Sequence, residues 1–207
     1  MLEAIDLACI RGERLLFRDL SFQVDPGTLL WVTGGNGSGK TSLLRLLCGL
    51  ARAETGAVRW NGSDISKERE DFQKTLIYQG HLNALKDDLT PEENLRFASQ
   101  GTRKIATVLQ RLREHGLGAC SGLPVRVLSQ GQKRRVALTR LSLTPTRRLW
   151  ILDEPFAALD TLASESLANL IVSHVCQGGM VVLTSHQEVL LGDIPLQRLH
   201  LASEPAT

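Results

Sequence analysis

No apolar run in the sequence approaches the roughly 20 residues a helix needs to cross a bilayer, so any work at a membrane is expected to pass through partners. CxxC pairs are missing too: Cys9, Cys48, Cys120 and Cys176 are scattered. Their scatter argues against a zinc site and a disulfide framework. It fits reduced thiols in a cytosolic setting, acting mainly as small buried apolar side chains. Strong charge of one sign is also absent. The 24 Lys and Arg against 22 Asp and Glu leave a formal charge of +2, too even for the clustered basic footprint of a nucleic-acid binder. No nucleic-acid partner is expected. The one dense basic run, Lys133-Arg134-Arg135, is short and reads as an exposed helix face. Met1-Leu2-Glu3-Ala4-Ile5-Asp6 has neither a basic n-region nor a long apolar h-region, so no secretory leader is expected. Low-complexity linkers and internal repeats do not interrupt the chain. What is there is 207 residues, 43% hydrophobic, enough for one large domain with its own core.

The first 30 or so residues read as β structure, with apolar stretches at Leu15–Leu20 and Phe22–Val24 before a Pro26-Gly27 turn. Thr28–Thr33 is nearly all apolar, as a strand buried on both faces requires. Beyond a glycine-rich loop, Leu43, Leu44, Leu46, Leu47 and Leu50 fall at helical spacing. Asn61-Gly62, between Ala57–Trp60 and Ser63–Ile65, is a hairpin turn signal. Thr90-Pro91-Glu92-Glu93 opens a helix with an N-cap, a first-turn Pro and a capping box. A second helix is expected from about Arg103 to His115, stopping at Gly116, and a third from the cap Ser129 to about Leu143. Strand Leu149–Leu152, helix Leu162–Val175 and strand Met180–Thr184 return to α/β alternation. The expectation is an α/β fold with an N-terminal antiparallel β subdomain, a parallel core and an inserted helical subdomain at approximately 80–145, all in one domain over 1–207.

Three motifs carry chemistry. Gly34-Gly35-Asn36-Gly37-Ser38-Gly39-Lys40-Thr41 fits G-x-x-x-x-G-K-[ST] between a strand and a helix. Glycines let backbone N–H groups turn onto phosphates, and the helix N-terminus adds its dipole. Lys40 is placed for the β- and γ-phosphates of a nucleoside triphosphate, and the Thr41 hydroxyl for Mg²⁺. Leu149-Trp150-Ile151-Leu152-Asp153-Glu154 brings two carboxylates to the end of a buried strand, where open α/β sheets bind ligands. Asp153 is expected to hold Mg²⁺ through a water and Glu154 to polarise the attacking water. Leu128-Ser129-Gln130-Gly131-Gln132 can present a hydroxyl and backbone N–H groups at a helix start.

That last segment resembles the LSGGQ signature of ABC ATPases. The order of P-loop, signature, Asp-Glu, Ala158-Leu159-Asp160 and Thr184-Ser185-His186 is similar to theirs over nearly the whole chain. The resemblance implies a P-loop NTPase fold that hydrolyses ATP with Mg²⁺. It makes Asp160 the D-loop residue, His186 a γ-phosphate contact, and the signature a clamp on the ATP of a second copy. It further implies multi-pass membrane subunits docking at Gln79–Asn94. Two positions depart from the family pattern. Arg11 stands where an aromatic residue usually stacks on adenine, and a guanidinium can stack too. The Q-loop position falls on His81 by family spacing, whereas the glutamine, Gln79, lies two residues earlier. Either Gln79 reaches the Mg²⁺ as a ligand by a local shift or that ligand is absent, and the choice between Gln79 and His81 for the Q-loop role stays open.

Leu30-Trp31-Val32, Gly80-His81, Leu123-Pro124-Val125, Leu149–Phe156, Gly178-Gly179 and Thr184–Gln187, with an end after about 205 residues, resemble the ATP-binding subunits of the bacterial cytochrome c maturation system, a haem-export family. In that family Gln130 is usually Ala, and Ala163 or Ser164 is often Gly. The resemblance implies a peripheral place on the cytoplasmic face of the inner membrane. The alternatives are the ATPase of another small exporter and a soluble non-transport ABC ATPase.

Overall fold

A computed structural model describes residues 1–99, 104–144, 146–186 and 189–202. In chain order the elements are strands β1 (Leu2–Arg11), β2 (Arg14–Val24) and β3 (Leu29–Gly34), helix α1 (Lys40–Leu47), strands β4 (Thr55–Trp60) and β5 (Ser63–Asp64), and helix α2 (Arg69–Thr75). Strand β6 (Leu76–Gln79) and helices α3 (Pro91–Ala98), α4 (Ile105–Glu114) and α5 (Gln130–Leu143) follow. Strand β7 (Leu149–Asp153), helix α6 (Thr161–Cys176) and strands β8 (Met180–Thr184) and β9 (Leu196–Leu201) complete the set.

Two sheets result. The antiparallel one runs β2-β1-β4-β5 and the parallel one β6-β7-β8-β3-β9. In the first, Asn61 and Gly62 both take left-handed conformations, as the two-residue turn that pairs Trp60 with Ser63 demands. In the second, the side-chain period of two feeds two cores at once. Leu30, Val32, Leu149, Ile151, Met180 and Val182 pack toward α1 and the antiparallel sheet. Their neighbours Leu29, Trp31, Trp150, Leu152, Val181 and Leu183 pack with α5 and α6. That is why these strands are apolar at nearly every position. A third core gathers Leu95, Val108, Leu112, Val125, Leu128 and Val136 among α3, α4 and α5.

The capping boxes at Thr90 and Ser129 form as expected, each with both reciprocal bonds. Elsewhere the structure differs. Helix α1 stops at Leu47 because Gly49 turns left-handed, which leaves Leu50 off the helix and 45% exposed. Arg103, the expected start of the second helix, lies outside the described residues, and that helix runs Ile105–Glu114 with Gly116 beyond it at φ 70°. Helix α2 and strands β6 and β9 were not foreseen. Of the cysteines, Cys9, Cys48 and Cys120 are buried and Cys176 is exposed. The basic run is not an exposed face: Arg134 is only 4% exposed, because it shares the inward side of α5 with Ala137, Leu138 and Leu141. Among the described residues no helix is long and apolar enough to cross a membrane.

Candidate functional site

Strand β3 ends at Gly34 and the chain loops to the first turn of α1. Gly39, at φ 97°, forms the N-cap with Leu16 and Phe17 close enough that an added Cβ would lie 3.1 Å from each. Glycine is required there on both conformational and steric grounds. The Lys40 ammonium donates to the carbonyls of Gly34 (2.7 Å) and Gly35 (3.0 Å), so it lies folded over the loop. Ser38 Oγ is buried with no hydrogen-bond partner.

Opposite stands the end of β7. Asp153 accepts from the Thr41 hydroxyl and from the Thr184 hydroxyl, each at 2.8 Å. Register explains the second bond, because β7 and β8 pair Asp153 with Thr184. Thr184 Oγ1 in turn accepts from the Glu154 N–H at 2.9 Å. Glu154 takes a left-handed φ of 49°, uncommon outside glycine. One oxygen of its carboxylate accepts from the His186 N–H at 3.1 Å, and the other, buried, lies 3.5 Å from His186 Nε2 without a hydrogen bond. These groups share a cleft of about 420 Å³, lined by Asn36, Gly37, Gly39, Lys40 and Thr41 on one side and Asp153, Glu154 and His186 on the other. Arg11, Arg14, Leu16, Ser42 and His81 complete its wall.

The two candidates for the Q-loop separate cleanly. Gln79 is 1% exposed and does not line the cleft. Its amide donates to the carbonyls of Gly80 (3.1 Å) and Leu82 (3.2 Å), and its oxygen accepts from Arg140. In this conformation Gln79, expected as a metal ligand, is placed outside the cleft with its polar atoms bound to Gly80, Leu82 and Arg140. His81 faces the cleft instead. The signature residues Leu128, Ser129, Gln130, Gly131 and Gln132, and the D-loop Asp160, do not line it either. Ser129 and Gln132 cap α5, and Asp160 caps α6 by accepting from Ala163 N at 2.8 Å.

Electrostatics around the strand end follow from burial and the Asp153 charge. Burial raises the pKa of Tyr78 to about 12, with Asp153 adding to the rise. Burial and then Asp153 likewise raise that of Cys48. Burial depresses Arg134, opposed first by the attraction of Asp153, and it depresses Arg140 as well.

Sequence reasoning missed Arg14, Arg134 and the hydroxyl role of Thr184. For Arg14 the signal was its place just after Arg11 in a tight hairpin, Arg11 pairing with Arg14. For Arg134 it was the helical register.

The family model described as ABC transporter matches residues 17–157. The chain belongs to the ABC transporter family. As an ABC ATPase it has the α/β P-loop NTPase fold and binds and hydrolyses nucleotide. Its relatives include the cytochrome c biogenesis ATP-binding export protein CcmA of Aromatoleum aromaticum, 53% identical over 91% of this chain and 89% of that protein. The protein of the same name in Nitrosomonas europaea is 49% identical over 98% of this chain and 96% of its own. Among solved structures, an ATP-binding subunit of an ABC transporter superposes with a TM-score of 0.80 at 29% identity, covering 89% of this ABC ATPase and 79% of that chain. The ATP-binding cassette MJ0796, solved as a dimer in a post-hydrolysis state with ADP and Pi, shares the fold at a TM-score of 0.78 and 22% identity over 90% of this chain and 88% of its own.

Proposed function

We propose that this chain is the ATP-hydrolysing subunit of a membrane ABC complex for cytochrome c biogenesis, either exporting haem or releasing it from a periplasmic carrier. The observation that carries the proposal is the convergence of Lys40, Thr41, Asp153, Glu154 and His186 on one cleft. The pathway rests on the name borne by relatives about half identical over nearly the whole chain. The chain works as one ABC domain over 1–207 with its helical insertion at approximately 80–145.

The loop from Gly34 to Thr41 cradles the triphosphate with backbone N–H groups, and Lys40 exchanges two carbonyls for phosphate oxygens. The orphan Ser38 hydroxyl is a further donor in the same loop. Arg11, joined by Arg14, forms the wall for the base. The hydroxyl of Thr41 and the carboxylate of Asp153, 2.8 Å apart, are hard oxygen donors that suit Mg²⁺. When bound, the ion neutralises charge on the β- and γ-phosphates. Glu154, its backbone fixed by Thr184 and one carboxylate oxygen by the His186 N–H, orients the attacking water and takes its proton. The His186 ring contacts the γ-phosphate, and His81 occupies the Q-loop role.

Leu128–Gln132 and Asp160 lie outside the chain's own cleft, which supports their serving the ATP of a second copy in a homodimer. Multi-pass membrane subunits dock over the Gln79–Asn94 segment, where Leu82 is 80% exposed. The subunit is then peripheral, on the cytoplasmic face of the bacterial inner membrane. Lys40→Ala is expected to abolish nucleotide binding. Glu154→Gln is expected to keep binding and stall hydrolysis, accumulating an ATP-bound dimer in size-exclusion chromatography. Ordinary turnover by Glu154→Gln would remove that residue from the mechanism.

A further inference from the structure

We infer that Arg134 is a positioning residue for hydrolysis, one that ties the signature helix α5 to both Glu154 and His81; this rests on the ATPase reading above. Its guanidinium is surrounded by six acceptors from two separate segments. Nη2 donates to the carbonyls of Glu154 (2.7 Å) and Asp153 (3.1 Å), and Nε to that of Pro155 (3.4 Å). Nη1 reaches the carbonyls of Gly80 (3.2 Å) and His81 (3.5 Å) and the side-chain oxygen of Asn83 (3.1 Å).

A buried guanidinium costs desolvation unless its donors are satisfied, and this one is satisfied by backbone rather than by a facing carboxylate. Five of the six acceptors are main-chain oxygens. The planar fork therefore fixes where two stretches of chain lie, and those stretches present Glu154 and His81 to the cleft. Glu154 needs such fixing most. Its left-handed φ of 49° persists only where the surroundings over-determine it. Thr184 holds its N–H from one side, and Arg134 holds its carbonyl from the other.

Arg134 also lies on the helix capped by Ser129, about one and a half turns from that cap and just past the signature residue Gln132. The first turn of α5 is packed tightly on the loop after β7 as well, since a Cβ at Gly131 would lie 3.1 Å from the Ala158 carbonyl. A shift of the signature is thus passed through a rigid helix to the backbone of the carboxylate that orients water. The guanidinium touches no substrate and works through Glu154 and His81.

The test uses the full-length chain, isolated with its co-purifying subunits, as wild type, Arg134→Lys and Arg134→Gln. Lysine keeps the charge but loses the fork; glutamine keeps amide donors without a buried charge. For both, kcat is expected to fall roughly tenfold or more, while KM and the affinity for a fluorescent ATP analogue stay within about threefold. In a Glu154→Gln background the same substitutions are expected to cause no further loss of residual turnover. Undiminished kcat in either variant would overturn the inference. So would a loss of nucleotide affinity that matches the loss of kcat, additivity with Glu154→Gln, or failure of both variants to fold, each marking a structural anchor only. Absence of hydrolysis by the unaltered protein would instead overturn the ATPase reading itself.

Discussion

His174 lies flat on Trp150, ring centroids 3.8 Å apart and planes within 5°. Its Nε2 faces the carbonyl of Arg148 at 3.3 Å, so that nitrogen carries the proton of a neutral ring. Gly179 makes the space, since a Cβ there would come within 2.2 Å of Nε2. Burial pushes the His174 pKa down to about 4, partly opposed by the Arg148 carbonyl. A histidine depressed in the folded state is neutral there while the unfolded chain, with its ordinary value near 6.5, takes up a proton. The stabilisation is therefore complete above about pH 6.5 and is lost as the pH falls toward 4. Melting temperature is expected to drop across that window, and His174→Gln, measured the same way, to show a shallower drop. An unchanged slope would remove His174 from the acid response. Arg134 gives the complementary lesson about single residues. Charge type suggested exposure, but position on the helix decided burial, and only the six acceptors around it explain how a charge survives there.

Helices with strong local signals were legible at the level of elements. Ser129 and Gln132 bond each other reciprocally at 2.9 and 3.2 Å, and α5 starts where that box predicts. The weak elements were not legible. Strand β6 is only four residues, LIYQ, and is recognisable as a strand chiefly by its pairing with β7. Strand β9, LQRLHL, is mostly exposed at the sheet edge, so it lacks the apolar run that marked its neighbours. The glycine loop and the Asp-Glu strand end were legible because phosphate and metal chemistry restrict composition tightly. That Gln79 turns away and His81 turns in was not, because it depends on the distant Arg140 and Arg134. The Ser129 cap also separates stability from function. Ser129→Ala is expected to cost about 1 kcal/mol of stability, as is Thr90→Ala, which removes the matching box on α3. Hydrolysis is expected to fall further in Ser129→Ala than in Thr90→Ala. Equal losses of hydrolysis at equal melting temperature would reduce the signature serine to a cap.

Among the described residues the apolar side chains of the whole molecule gather in three cores. The parallel sheet divides its side chains between two of them, so the ends of β3 and β7 are held in fixed relation on either side of β8. The third core carries α5, whose cap does not line the chain's own P-loop cleft while its second turn grips the end of β7. That division of labour suits a machine in which hydrolysis is felt by partners. The direct measurement is a stain for covalently bound haem in c-type cytochromes, in cells whose only copy of this chain carries Glu154→Gln, at expression equal to wild type. Loss of the stained bands is expected. Bands of unchanged intensity would contradict a role for hydrolysis by this subunit in cytochrome c biogenesis.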